Sequence, residues 1–428
     1  MLPLGLGGPG HFAAVRDFFR SVGYTEPAVC KQLSVDGLHQ LLSGSQKSEP
    51  SAPKEAPNAL AALMRLFLVG NSASREWLDG FIPATVQDSM EALGILCADN
   101  AQPGRCYSPV AIYPVRGLFI ASDRWKNPDG SPVAAIDDYV FPAIHLLTHQ
   151  FLELLPTSSC ETLLDLGSGT GIAALLASQE YARQSWAVDI TARATQFGEF
   201  NRRLNALSNA RVLQGNLYEP VEGLRFERIV AHPPFVPSME RGAIYADGGG
   251  DGEQITRAIV QGLPRFLERR GCLYCSTMGV EREGEPYEQR VRQWLDPDES
   301  AFDVLFVAER TQGPTQFAYR ATRHAKGSWD QMDEWCAHLE KLKVKNFVYG
   351  LLLIQEKDST RSAFTVRRQK AEYTGAAQVQ WLRDWESRWA TAKRSCVQAL
   401  ASSTIPSNPT CTAERFSTTE TQHSSPSA

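Results

Sequence analysis

The chain has 428 residues, and its 43 lysines and arginines nearly balance 48 aspartates and glutamates. This balance excludes a strong global attraction to polyanions, although a local basic face would still allow nucleic acid to bind. The length exceeds what a single hydrophobic core usually reaches, so we expect two or more domains.

Nine cysteines lie at irregular spacings, and the first residues lack the charged and apolar regions of a secretion signal. Apolar runs such as residues 347–354 are too short to cross a bilayer. We therefore expect a cytoplasmic protein without disulfides, membrane contact or bound metal. Cys272 and Cys275 do not change this, because side chains three apart on a strand point to opposite faces.

Residues 1–125 predict a small helical domain. Its apolar patterns indicate helices over 11–20, from 59 to 70 and over 84–96, and a β-hairpin over 107–120. Helices followed by a hairpin are typical of a winged-helix unit, which binds nucleic acid in some proteins and forms dimers or caps a substrate pocket in others. Residues 43–58 are rich in Ser, Pro and Lys and predict a loop or linker.

Residues 126–400 alternate between strand and helix patterns. Strands are predicted over 162–166, 185–190, 210–214, 228–231 and 271–277, with helices over 172–179, 192–207 and 254–269. This alternation predicts an α/β Rossmann-like sheet with helices on both faces and ligands at the carboxyl ends of the strands. A long helix is predicted before it, over 134–155, and the Ser- and Thr-rich residues 401–428 are predicted to be disordered.

The first strand of this domain ends in a glycine-rich turn, DLGSGTG, at residues 165–171. Glycines let the backbone lie against a ligand, but they alone fit a dinucleotide as well as S-adenosylmethionine. Asp165 favours S-adenosylmethionine, because its carboxylate attracts the ammonium and sulfonium groups of that cofactor and would repel the pyrophosphate of a dinucleotide. The candidate cofactor-binding residues in this turn are Asp165, Gly167, Ser168, Gly169 and Gly171.

Two polar residues follow the next strands. Asp189 ends the second strand, where its carboxylate can accept hydrogen bonds from both hydroxyls of a ribose; capping the following helix is the alternative. Asn216 follows the third strand and is predicted to contact an adenine edge, unless it merely forms a turn.

The fourth strand ends in His232-Pro233-Pro234-Phe235. Two consecutive prolines cannot continue a hydrogen-bonded strand, so they predict a rigid turn at the carboxyl edge of the sheet. Carbonyl acceptors there can hold both N–H bonds of a planar NH2 group against the Phe235 ring, which orients the nitrogen lone pair toward a methyl donor. We predict that these four residues form the catalytic site.

These motifs, in this order and spacing, resemble those of class I S-adenosylmethionine-dependent methyltransferases. The most similar subset carries Asn-Pro-Pro-Tyr and modifies planar nitrogens: the release-factor glutamine methyltransferases and related small-domain rRNA N-methyltransferases. Residues 247–252, DGGGDG, also resemble the D-G-G-x-D-G segment of the release-factor enzymes. The likeness covers about residues 137–277 and implies S-adenosylmethionine as cofactor and a protein glutamine or an RNA base as methyl acceptor.

His232 and Phe235 replace the Asn and Tyr of that subset. A neutral imidazole offers one acceptor nitrogen, whereas an amide offers an acceptor and a donor, so His232 either accepts from the substrate or acts as a general base. Two alternatives therefore stay open. One is methylation of a small molecule, with the N-terminal domain capping the pocket or forming a homodimer; the other is a cofactor-binding scaffold without catalysis.

Overall fold

The computed structural model describes residues 4–42, 58–100, 102–125, 136–239, 242–324, 328–357, 361–371 and 374–402, with residues 127, 131 and 133. The predicted linker lies outside the described residues except for Asn58. The predicted disordered tail also lies outside them, except that Ala401 and Ser402 belong to the last helix. No helix in the described ranges is both long and apolar enough to cross a membrane.

The N-terminal part is mainly helical. Its helices are α1 (Pro9–Ser21), α2 (Glu26–Leu33), a 3₁₀ turn (Leu38–Leu42), α3 (Ala59–Met64) continued by a π-helical turn (Arg65–Val69), α4 (Arg75–Asp79) and α5 (Ala84–Ala92). Three short strands, β1 (Ala73–Ser74), β2 (Cys97–Ala98) and β3 (Arg105–Tyr107), form a sheet in the order β1-β3-β2. Strands β2 and β3 pair antiparallel. A winged-helix unit stays a prediction for this part of the chain.

The hairpin predicted over 107–120 is confirmed and spans residues 111–122. Strands β4 (Ala111–Val115) and β5 (Leu118–Ser122) pair with each other in a separate two-stranded sheet. Arg116 and Gly117 turn the chain with φ of 47° and 84°, which is typical of tight hairpins. The hairpin packs on the core domain, because the Asn201 and Asn205 side chains hydrogen-bond the backbone of β5. Contacts therefore cross the predicted boundary at residue 125, which stays a prediction.

The core domain is built on an eight-stranded sheet. Its strands are β6 (Cys160–Leu166), β7 (Ala182–Asp189), β8 (Ala210–Gln214), β9 (Phe226–Ala231), β10 (Leu267–Glu281), β11 (Phe302–Gln312), β12 (Asn346–Glu356) and β13 (Thr365–Gln369). The order is β13-β11-β12-β10-β9-β6-β7-β8, and only β12 runs antiparallel to its neighbours. The predicted α/β sheet is confirmed.

Helices connect these strands and cover both faces of the sheet. They are α6 (Leu146–Leu154), α7 (Ile172–Glu180), α8 (Ala192–Leu204), α9 (Gln254–Phe266), α10 (Tyr287–Gln293), α11 (Pro314–His324), α12 (Trp329–Lys341), α13 (Ala376–Ser402) and two 3₁₀ turns (Glu219–Val221 and Glu299–Ala301). Leu163 belongs to the hydrophobic cluster on one face and Leu164 to the cluster on the other. Burial on both faces explains why these strands are continuous apolar runs.

The helix predicted over 134–155 is wrong for residues 136–145, since α6 begins only at Leu146. His145 is its N-cap and accepts a hydrogen bond from the Leu147 N–H at 3.3 Å. Upstream, the Val140 N–H donates to the Asp123 carboxylate at 2.8 Å instead of to a helical carbonyl. A tertiary partner for the backbone thus overrides the apolar pattern.

The order of the strands brings two of their ends together. Strand β6 lies between β7 and β9. The chain adds β7 and β8 on one side of β6 and then crosses to add β9 and β10 on the other side. Leu166 of β6 is paired with Ala231 of β9, and each is the last residue of its strand. The glycine turn and the two prolines therefore start side by side, at the position where open α/β sheets bind ligands.

Candidate functional site

The glycine turn after β6 is held from two sides by carboxylates. The Asp189 carboxylate accepts a hydrogen bond from the Gly169 N–H at 2.9 Å, and the Asp165 carboxylate accepts one from the Ala174 N–H at 3.3 Å. The Gly167 and Ser168 N–H groups both donate to the carbonyl of Val188 in the neighbouring strand. The predicted residues of this turn are thus brought together in one braced loop.

The three glycines have the backbone conformation that their lack of a side chain permits. Gly167, Gly169 and Gly171 have φ of 68°, 53° and 79°. A Cβ on Gly167 or Gly169 would meet no atom within 4 Å, so the space in front of both is open. Gly171 packs closely instead, with Gly198 and Leu175 about a van der Waals contact away. The turn therefore exposes two backbone positions against which a ligand can lie.

The electrostatics of the turn favour a cation. Asp165 is 3% exposed, and its burial raises the pKa of the carboxyl group to about 7; the Ala174 N–H opposes this shift and the neighbouring Asp189 adds to it. A buried carboxyl group that is only partly ionised at neutral pH is stabilised in its charged form by an adjacent cation. A pyrophosphate beside the same two carboxylates would be repelled.

Asp189 and Asn216 lie at the ends of neighbouring strands. Besides Gly169, Asp189 binds the Thr191 N–H at 3.0 Å and hydroxyl at 3.1 Å, while Thr191 itself caps α8. Asn216 is exposed, and its side-chain amide donates to Glu219 at 3.4 Å. Contacts to a ribose and an adenine edge stay predictions for these two residues.

The His-Pro-Pro-Phe turn forms an aromatic group at the end of β9. The His232 ring lies 5.4 Å from the ring of Phe151 and 5.8 Å from that of Phe235, at interplanar angles of 36° and 28°. Phe235 also contacts Tyr349 of β12, at 5.5 Å between ring centres. Pro233 is buried and Pro234 is half-buried. The four predicted catalytic residues therefore lie together beside the glycine turn.

His232 is neutral at physiological pH. Burial of the ring lowers its pKa to about 4, and the nearby His145 adds to the shift. Within the described residues its imidazole has no hydrogen-bond partner, so one ring nitrogen is available as an acceptor. The ring can therefore accept a hydrogen bond from a substrate N–H or O–H group. It does not stay protonated at neutral pH, because its pKa is about 4.

The DGGGDG segment lies against the His-Pro-Pro-Phe turn. The Val236 N–H donates to the Ala246 carbonyl and the Gly248 N–H donates to the Val236 carbonyl, both at 2.9 Å. A side chain on Gly252, whose φ is 79°, would come within 2.5 Å of the Phe235 carbonyl oxygen. Close approach of two backbones explains the glycine here.

Some residues of the site were not found by sequence reasoning. Phe151 and Tyr349 come from elements far along the chain and carry no local signal. Ile190 follows Asp189 and is 54% exposed, which is unusual for a large apolar side chain at a ligand-binding edge. Ile190 directly follows the residue that is predicted to bind the ribose. This position could have indicated an apolar surface for the adenine of the cofactor.

Tyr139 and Phe141, which precede α6, meet the loop that follows the two prolines. Tyr245 of that loop lies 4.8 Å from the Phe141 ring and 6.1 Å from the Tyr139 ring, and Phe141 contacts His145 at 5.4 Å. Tyr245 is 41% exposed. These rings form an aromatic wall next to the site. Among the described residues, no three His, Cys, Asp or Glu side chains are grouped so as to hold a metal ion.

Comparison with known proteins points to one family. Residues 143–295 match the family model described as the methyltransferase small domain. The ribosomal protein uL3 glutamine methyltransferase of Bradyrhizobium diazoefficiens is 29% identical over 164 residues, which are 35% of this chain and 51% of that protein. The release factor glutamine methyltransferase of Moorella thermoacetica is 26% identical over 204 residues, 42% of this chain and 71% of that protein.

The chain spans about half the length of the uL3 enzyme. Among solved structures, the ribosomal protein L11 methylase from Lactobacillus delbrueckii subsp. bulgaricus is 21% identical, with a TM-score of 0.26, over 36% of this chain and 66% of that one.

Proposed function

We propose that this chain, whose residues 143–295 form a class I methyltransferase small domain, transfers a methyl group from S-adenosylmethionine to a planar nitrogen of a protein, the side-chain amide of glutamine. One observation carries the proposal. The carboxylate-braced glycine turn and the His-Pro-Pro-Phe turn start from paired residues, Leu166 and Ala231, with the DGGGDG segment packed against the second.

The glycine turn and the residues beside it fit S-adenosylmethionine. The open space in front of Gly167 and Gly169 admits the cofactor to the backbone, the buried Asp165 suits its cationic part, and Asp189 and Ile190 offer a carboxylate and an apolar face for its nucleoside. When bound, this cofactor supplies an electrophilic methyl group on a sulfonium.

The His-Pro-Pro-Phe turn binds and orients the amide group that receives the methyl group. The backbone carbonyls of His232 and Pro233 and the free imidazole nitrogen of His232 accept from the amide N–H groups, and Phe235 offers its ring to the planar group. Held in this way, the nitrogen lone pair is aimed at the methyl carbon. With the cofactor bound, the N–C bond would form as the C–S bond breaks, and the amide proton would leave to solvent, because the lowered pKa of His232 prevents the imidazole from keeping it.

A protein substrate is favoured over RNA by the state of the basic residues. Arg202 and Arg203 both bind Glu199, and Arg367, Arg368 and Lys370 each bind an acidic side chain. These five basic residues are thus neutralised within the protein, whereas nucleic-acid affinity depends on cations that are available for phosphates. A protein substrate of the translation apparatus would also agree with the predicted cytoplasmic location. The homodimer through the N-terminal domain stays a prediction.

Labelled cofactor tests the substrate class. Purified protein is incubated with S-[methyl-³H]adenosylmethionine and a cell extract, which is then separated into protein, RNA and small-molecule fractions. We expect label in the protein fraction, and acid hydrolysis should release it as methylamine, the product of an N-methylated amide. Label confined to RNA or to small molecules would contradict the proposed substrate. Cofactor binding without any transfer would instead support a scaffold.

Substitution of His232 tests its role as an acceptor. We expect His232→Asn to retain methyl transfer within about threefold, because the amide oxygen accepts from the substrate as the imidazole does. His232→Phe keeps the aromatic packing but removes the acceptor, and we expect kcat to fall about 100-fold. Steady-state methylation assays measure both. His149→Asn is the matched control, since His149 stacks on His39 at 4.8 Å and is not part of the site. Full activity of His232→Phe would refute the role.

The pH dependence of cofactor binding tests Asp165. Its pKa of about 7 in the free protein means that the carboxyl group is mostly protonated below pH 7 and ionised above it. If the ionised form binds the cation, affinity falls as pH drops through 7, and we expect about tenfold weaker binding of S-adenosylmethionine at pH 6 than at pH 8. Calorimetric titrations of the wild type and of Asp165→Asn measure this. The same pH dependence in Asp165→Asn would assign it to another group.

A further inference from the structure

Three tryptophans form an exposed ladder on the C-terminal helix α13. Trp381, Trp385 and Trp389 are 61%, 50% and 54% exposed. Neighbouring rings lie 5.6 and 6.5 Å apart, with interplanar angles of 17° and 8°, so the rings stack one turn above another. This tryptophan ladder is outside the candidate site and plays no part in the proposed reaction.

The opposite face of α13 is fixed to the core domain. Val379 is fully buried, and Arg383 donates to the Tyr274 hydroxyl at 3.0 Å. The Glu386 carboxylate, 3% exposed, accepts from Arg368 at 2.7 Å, and the Ser387 hydroxyl accepts from Arg361 at 3.1 Å. These contacts hold the helix on the core domain with the ladder outward, and packing among the residues that the structure describes does not explain the tryptophans.

The exposed apolar area is of the size that marks an interaction surface. A free tryptophan offers up to about 250 Å², so three half-exposed rings leave about 400 Å² of apolar surface. A patch of this size is comparable to the largest apolar patch on a typical soluble monomer, which is often functional. Two such surfaces facing each other would bury about 800 Å² from the rings alone, enough for a weak, concentration-dependent association.

A charged row runs beside the ladder with the same spacing. Asp384 and Arg388 are both exposed and lie one helical turn apart. Asp384 pairs with its neighbour Arg383 at 2.9 Å, while Arg388 has no ion-pair partner within the described part of the chain. The exposed face of α13 therefore consists of an aromatic row and, on one flank, an acid followed by a base.

We propose that the ladder is the contact surface of a homodimer, in which two copies of α13 pack antiparallel across a two-fold axis at Trp385. This rotation sets Trp385 against Trp385 of the second copy and Trp381 against its Trp389. It keeps each flank facing the same flank, so Arg388 of either copy faces Asp384 of the other. The pattern is complementary to itself in both its apolar and its charged row, which an isologous interface requires.

Sedimentation velocity of the full-length protein over a concentration series tests the homodimer. We expect a shift from monomer to twice the monomer mass in the micromolar range. Trp385→Glu places two carboxylates at the axis and should weaken association at least about tenfold. The matched control is Trp329→Glu on α12, since Trp329 is 75% exposed but lies outside the ladder; it should associate like the wild type.

Charge exchange tests the antiparallel arrangement. Asp384→Arg and Arg388→Asp each bring like charges together twice and should weaken the dimer several-fold, whereas the double exchange should restore it. A wild type that stays monomeric throughout, or a Trp385→Glu variant that associates as strongly as Trp329→Glu, would overturn the proposal. Restoration that fails would overturn the antiparallel register. None of these outcomes affects the proposed methyl transfer, because the three tryptophans are not among the residues of the candidate site.

Discussion

We expect Asp189→Ala to weaken binding of S-adenosylhomocysteine about 100-fold. The carboxylate holds the Gly169 N–H at 2.9 Å and both groups of Thr191, and in the proposed function it also receives the ribose hydroxyls. Removing it therefore loses charge-assisted hydrogen bonds to the ligand and releases the turn against which the ligand lies. Each such bond contributes about 1.5–3 kcal/mol, so the loss of two at the lower end of this range, about 3 kcal/mol, corresponds to roughly this factor.

Isothermal titration calorimetry measures the effect, with Glu180→Ala as the control. Glu180 is an exposed acid at the far end of α7 and has the same charge without access to the turn. Asp189→Asn keeps one acceptor oxygen and should give an intermediate affinity. An Asp189→Ala protein that binds within threefold of the wild type would mean that the ribose is held elsewhere.

The second large effect concerns stability. Glu253 follows the DGGGDG segment directly, is fully buried, and pairs with Arg290, which is 5% exposed. The two side chains share two hydrogen bonds at 2.6 and 2.7 Å, and the Val280 N–H also donates to Glu253 at 2.6 Å. We expect Glu253→Ala to lower the free energy of unfolding by about 3–5 kcal/mol, because it leaves the Arg290 guanidinium buried without its counter-charge.

Urea denaturation followed by intrinsic fluorescence measures this loss. The double variant Glu253→Leu with Arg290→Met removes both charges and should be clearly more stable than Glu253→Ala, since no unpaired charge stays buried. The surface pair of Glu222 and Arg265, with both side chains more than 60% exposed, is the control, and Glu222→Ala should cost less than about 1 kcal/mol. Equal costs at the two sites would show that burial does not govern the Glu253 pair.

This ion pair explains why the DGGGDG segment keeps its place. Glu253 ties the end of the segment to β10 and α10, and Asp251 binds Arg257 at 3.1 Å. The likeness to release-factor enzymes identifies this segment in the sequence, but the ion pair of Glu253 with Arg290 was not predicted from the sequence. The glycines make the DGGGDG segment visible in the sequence. The ion pair that holds it in place involves Arg290, which lies far along the chain.

Local patterns were sufficient for most elements of the sheet. Strand β8 covers the predicted residues 210–214, and the glycine turn follows β6 as predicted, because apolar runs and glycines act within a few residues of themselves. The acid before the glycines and the two prolines after β9 were likewise sufficient to indicate the family, which the match over 143–295 supports.

Local patterns were misleading where a distant partner satisfied the backbone. The apolar residues before α6 look helical in isolation, yet the Val140 N–H binds the Asp123 carboxylate and the helix begins later. The hairpin predicted over 107–120 is present, in contrast, as β4 and β5, because its turn at Arg116 and Gly117 is local. The error before α6 comes from a hydrogen bond that no short stretch of sequence specifies.

The sequence by itself determined the α/β alternation, the glycine turn, the carboxylates beside it and the His-Pro-Pro-Phe turn, because each is a property of neighbouring residues. Only the tertiary structure decided what surrounds His232. Phe151 and Phe235 flank its ring, and burial lowers its pKa to about 4, which makes it a neutral acceptor and not a store for a proton. The pairing of Leu166 with Ala231, residues 65 positions apart, joins the two halves of the site, and such contacts follow from strand order, which local sequence does not encode.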